Sequence, residues 1–77
     1  MFRKLKERRW TAKAEKYLEA YPEHEPIVKA MLMARVVLGQ DYGPRECAEL
    51  LMSRELSDDE WAEVRHLWQP AYLHIFG

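Results

Sequence analysis

The chain has 77 residues, 48% hydrophobic and 32% charged, with three Gly and four Pro. That balance excludes a disordered segment and a fibrous repeat and argues for one globular domain. Its net charge of −1 conceals a segregation: residues 1–16 hold seven Lys/Arg against two Glu, a net of +5, and the rest hold five against eleven, a net of −6.

The opening Met1-Phe2-Arg3-Lys4-Leu5-Lys6 is basic but leads into no apolar run, so it is not a secretory signal. Residues 2–21 lack Gly and Pro and are rich in good helix formers. Within them Trp10, Ala14, Tyr17, Leu18 and Tyr21 recur at helical spacing as one buried stripe. Phe2 and Leu5 fall on a different side at about 100° per residue, which makes residues 1–8 a candidate projecting basic arm. Lys6, Arg9, Lys13 and Lys16 share one side of the same helix. Such a ridge can hold phosphates or an acidic protein surface, and its plainer alternative is a solvated face that offsets the acidic remainder.

Tyr21-Pro22-Glu23-His24-Glu25-Pro26 breaks the helix, because each proline disfavours helical backbone in the residue before it. Pro26 suits the first position of a second helix. From Ile27 to Leu38 little polar surface remains, the pattern of a buried central helix. With Lys29 and Arg35 inside it, this run is too short and too charged to span a bilayer, so no membrane partner is expected. Gly39 is placed to take the left-handed conformation that ends the helix. Met31, Met33 and Met52 suit either core filling or an adaptable partner groove, with core filling the commoner use.

Pro44 opens a third helix whose apolar stripe is Cys47, Leu50 and Leu51. The fourth carries the clearest local signal. Ser57 can cap it, Glu60 can complete a capping box, and Leu56 can staple onto Trp61. Trp61, Val64 and Trp68 form its inner face, Pro70 is expected to kink or end it, and Tyr72, Leu73, Ile75 and Phe76 make an apolar C-terminal turn. The expected fold is all-α, a compact four-helix bundle or an orthogonal helical array around the central apolar helix, as a single domain over 1–77.

Candidate chemistry is sparse. Asp59, Glu63 and His66 share an outward side of helix 4, and Glu63-Val64-Arg65-His66 has the E-x-x-H spacing of di-metal bundles. Those sites need a second such motif, and the chain has none, so no metal and no cofactor are expected and the acidic face is read as solvated or partner-binding. Helices 3 and 4 have about the lengths of a helix-turn-helix pair, but the second begins Asp58-Asp59-Glu60, which phosphates repel. Cys47 lies on an apolar stripe, where core packing is its natural role, and as the lone cysteine it suits a reducing, cytoplasmic setting. Thr11 and Ser53 have no catalytic neighbours in sequence, Ser57 is a cap, and His24, His66 and His74 are scattered along the chain, so catalysis is not expected. Trp68, Tyr72 and Phe76 either fold back into the core or form an interface patch.

The leading expectation is a non-enzymatic protein-interaction module: an adaptor, regulator or inhibitor acting by surface binding, a type that includes phage- and mobile-element-encoded regulators. The alternative is a nucleic-acid-binding protein that uses the basic side of helix 1. A homodimer is a further candidate assembly.

Overall fold

The computed structural model describes the backbone of residues 2–77 and the side chains from Lys6 onward. Among these residues there are four helices and no strand, the all-α arrangement that the periodicity predicts. Helix α1 (Phe2–Ala20) leads through a 3₁₀ turn at Pro22–His24 into α2 (Glu25–Leu32). A π-helical turn at Met33–Val37 continues α2, and α3 (Pro44–Met52) and α4 (Asp58–Phe76) follow. No described helix is long and apolar enough to cross a membrane. Helix α1 runs unbroken from Phe2, so residues 2–8 belong to the helix. The sides that Phe2 and Leu5 face lie outside the described residues.

Helices α1 and α4 pack antiparallel. Trp10 meets Phe76 edge-on at 5.3 Å and Tyr17 meets His74 at 5.5 Å, while Tyr21, further along α1, shares a cleft with His66 and Pro70, further back along α4. Helix α2 touches α1, α3 and α4. Its Ile27, Val28, Ala30 and Met31 are buried, together with Ala34 in the π turn, and they pack with Ala14, Cys47, Ala48, Leu56, Trp68, Ala71 and Ile75. Burying side chains of this size contributes roughly 1.5–3 kcal/mol for each of the larger ones. Cys47 is one of them, and burial pushes its thiol up to about 11. It is a protonated packing group.

The expected central helix is buried along only part of its length. Met33 and Val37 are 50% and 75% exposed, and Leu38 is exposed as well. Met33 and Val37 continue the exposed side of Lys29 at four-residue spacing, and the π turn accounts for Leu38. Leu38 N–H donates to the Met33 carbonyl, five residues back, at 2.9 Å, so one extra residue is accommodated per turn. Each later side chain therefore falls back by one position, and Leu38 leaves the stripe it would share with Ala34 in a regular α-helix. Gly39 closes the helix at φ 66°, the left-handed value expected of it. Gln40 N–H then reaches the Ala34 carbonyl at 2.9 Å.

Arg35, inside the π turn, joins three segments. Its guanidinium lies 4.3 Å from the Phe76 ring centre, 5.2 Å from Trp10 and 6.0 Å from Tyr72. It also donates to the Tyr72 hydroxyl at 3.0 Å and pairs with Asp41 at 3.1 Å. The side chain is 18% exposed and Asp41 is 92% exposed, so the ion pair is screened and the rings carry most of the attraction.

Helix α4 begins as its sequence predicts. Ser57 Oγ accepts the Glu60 N–H at 3.2 Å, and Glu60 Oε1 accepts the Ser57 N–H at 3.0 Å, a complete capping box with Leu56 buried behind it. Pro70 does not end the helix, which continues to Phe76. Trp68, Ala71 and Ile75 are buried on either side of it, and that packing outweighs one missing backbone bond.

Two stability predictions follow from these contacts. Arg35→Ala removes the cation from three rings and a phenol. We expect a loss of about 2–3 kcal/mol in urea unfolding, with Arg35→Lys recovering less than half because an ammonium cannot make the planar contacts. The Glu60 carboxyl is lowered from the ordinary 4.5 to about 2, first by the Arg54 guanidinium at 2.6 Å and then by the Ser57 N–H and hydroxyl. A carboxylate shifted down on folding stabilises above its unfolded pKa and loses that contribution as pH falls towards its folded one. The urea midpoints of wild type and Glu60→Gln should therefore differ at pH 7 and converge between pH 4.5 and 2.

Candidate functional site

Two surfaces stand out from the packed interior. The first is an apolar groove between α2 and α3. Ala30, Met33, Leu50 and Leu51 line it, Pro26 closes one side, and the Glu25–Lys29 ion pair, 2.8 Å long, sits on its edge. The groove encloses about 670 Å³. Of its apolar lining, Met33 and Leu51 are exposed, at 50% and 46%. Among the described residues seven large hydrophobics are exposed, and two of them, Met33 and Leu51, meet across this groove. Isolated exposed hydrophobics are ordinary, whereas a contiguous set marks an interface.

Leu50 also lines a neighbouring hollow with Tyr42, Glu46, Glu49, Arg54 and Glu55. Glu46 accepts the Gly43 N–H at the start of α3, and Glu49 accepts the Leu56 N–H at 2.8 Å. The basic member, Arg54, is already paired with Glu60. The groove therefore opens on one flank to a shelf of net negative charge. Of the expected α3 stripe, Cys47 is buried and Leu50 packs against the core while Leu51 is exposed, and the methionines, which suit either core or groove by sequence, differ in burial. Met31 is indeed fully buried, but Met33 and Met52 are not.

The second surface is a cleft of about 590 Å³ between α1 and α4. His24, His66 and His74, scattered along the sequence, all line it, and Tyr17, Tyr21 and Lys16 face them. Antiparallel packing brings α1 residues against α4 residues about 50 positions away. The Tyr21 and His24 rings stack at 10° with centres 5.4 Å apart. Tyr17 lies tilted against both at 5.0 and 5.8 Å, and its hydroxyl is 3.0 Å from His24 Nδ1. Burial, followed by Tyr21 and Glu23, raises the Tyr17 pKa, so its phenol stays neutral.

The residues singled out by sequence divide as follows. Lys6, Arg9, Lys13 and Lys16 are all exposed, and among the described residues none of them is in an ion pair. Asp59, Glu63 and His66 are exposed along α4, with His66 turned into the cleft. The aromatic tail offers less than an interface patch requires. Trp68 is buried, and Tyr72 and Phe76 are half-buried around Arg35 and Trp10. Among the described residues no three His, Cys, Asp or Glu side chains are grouped to hold a metal ion.

Comparison with known protein families, with curated proteins and with solved structures returns no match to this chain, so its own residues carry the functional argument.

Proposed function

We propose that the chain is a small protein-interaction module whose docking surface is the apolar groove between α2 and α3. The observation that carries this reading is the groove of about 670 Å³ lined by Pro26, Ala30, Met33, Leu50 and Leu51, with Met33 and Leu51 exposed in it, where exposure is costly unless a partner covers it. The groove lies between two helices, the usual setting for an amphipathic helix that inserts apolar side chains spaced by one turn. Met33 can adapt its shape to such anchors.

Charge selects the occupant. The shelf of Glu46, Glu49 and Glu55 adjoins the groove at Leu50, so the fitting partner is an amphipathic helix with basic residues along one flank. An acidic helix would meet like charge there. Function in this reading is non-enzymatic, an adaptor, regulator or inhibitor, and the reduced, buried Cys47 suits a cytoplasmic encounter.

The test uses two labelled helical peptides with identical leucine spacing, one with lysine and one with glutamate on the flank. In fluorescence anisotropy the lysine peptide should bind at least about tenfold tighter than the glutamate peptide, and Leu51→Glu should weaken it by about tenfold or more, the value of one apolar anchor. Leu51 is 46% exposed, so this variant should keep its helical circular dichroism. Equal binding by wild type and Leu51→Glu overturns the proposal. So does a doubled mass in light scattering that Leu51→Glu abolishes, since that would make the groove a contact between two copies of the chain.

A further inference from the structure

The second surface differs in chemistry from the first. Four cations occupy one side of α1, and the last of them, Lys16, forms the lip of the cleft. From Lys6 to Lys16 the ridge runs about 15 Å along the helix at ~1.5 Å per residue. That is the length of roughly four stacked nucleotides at ~3.4 Å each. The chain holds 13 Asp and Glu, yet no carboxylate lines the cleft. Around it stand Glu23, 3.9 Å from His24 Nε2, Glu19, one turn from Lys16, and Glu63, one turn from His66.

At the end of the ridge stands a wall of aromatic rings. Tyr21 is 47% exposed, backed by the parallel His24 ring and braced by Tyr17. An exposed, supported ring of this kind is a platform on which a planar base can stack. The cleft also provides hydrogen-bonding groups for a base edge. The imidazoles of His66 and His74 belong to residues that line it, and a ring nitrogen can donate or accept according to its tautomer.

We propose that this cleft takes the terminal base of a single-stranded nucleic acid, with the adjoining phosphates lying along Lys6, Arg9, Lys13 and Lys16. A basic track combined with an aromatic platform is how sequence-tolerant single-strand binding works. A duplex covers all base faces except those of its two end pairs, and it offers the cleft no single unpaired terminal base. An acidic protein could use the cations but would leave the rings idle. The site is separate from the apolar groove, so the two proposals stand or fall independently.

The test is anisotropy with labelled ten-nucleotide single strands of RNA and of DNA, and with a ten-base-pair duplex, from 50 to 200 mM salt. Both single strands should bind more tightly than the duplex by about tenfold, and the RNA and DNA arms show which sugar is preferred. The log–log salt slope should approach about −0.7 per phosphate contacted. Lys13→Gln and Lys16→Gln should each make it shallower by about that amount. Tyr21→Ala should cost about tenfold in affinity with the slope unchanged, Tyr21→Phe should bind as wild type does, and Leu51→Glu should have no effect. No binding at 50 mM salt, equal affinity for the duplex, unchanged affinity in Tyr21→Ala with its helical circular dichroism intact, or equally effective displacement by polyglutamate would each overturn the proposal.

Discussion

The guanidinium of Arg35 is the contact on which the arrangement of the helices depends. It is enclosed by Trp10 from α1 and by Tyr72 and Phe76 from α4, while its own backbone belongs to the π turn that prolongs α2. One side chain thus ties the early part of α1, the end of α4 and the exit of α2. The attraction is electrostatic but needs little water, because ring faces offer negative potential to a cation that is weakly hydrated. It also accounts for the aromatic surplus near the C-terminus. Tyr72 and Phe76 are occupied by an internal cation and by Trp10, and Trp68 beneath them is buried, so these rings work inwards.

The same segment explains why the apolar run from Ile27 to Leu38 has two characters. Its first two turns obey α-helical periodicity and fill the core. The π turn then shifts the register by one residue, so Leu38 leaves the buried stripe and Met33 and Val37 lie exposed before it. Composition alone cannot distinguish these halves, because each is apolar apart from one basic residue, Lys29 or Arg35. What separates them is one hydrogen bond that reaches back five residues instead of four. The groove lies before that register change, between the side of α2 that carries Pro26, Ala30 and Met33 and the outward side of α3, where Leu50 and Leu51 continue the apolar surface.

Features set by neighbours in sequence were legible in advance. The capping box of Ser57 and Glu60, the left-handed Gly39, the break at Pro22 and the buried stripe containing Ala14 and Tyr17 each depend on residues within about one helical turn. Features set by tertiary packing were not. His24 lies 42 and 50 positions from His66 and His74, and only the antiparallel contact of α1 with α4 puts them in one cleft. No spacing rule marks Arg35 as a hub, since its ring partners come from two other helices. Pro70 reads locally as a stop, and the packing of Trp68, Ala71 and Ile75 around it overrides that reading.

Small domains have little core to spare, which gives weight to what this one leaves outside. The interior is well satisfied, with no buried side-chain polar atom lacking a partner among the described residues. Exposed groups that serve stability can be recognised by their partners, as with Glu60 and Arg54, or Glu25 and Lys29. Met33 and Leu51 have no comparable partner in water, and among the described residues Lys6, Arg9, Lys13 and Lys16 are in no ion pair. Folding requires neither group to be where it is. Each is moreover concentrated on its own face, one apolar beside negative charge and the other basic beside aromatic rings. A surface shaped by solubility alone would intersperse them, so their separation into two chemically distinct faces is the strongest physical argument that each is met by something outside the chain.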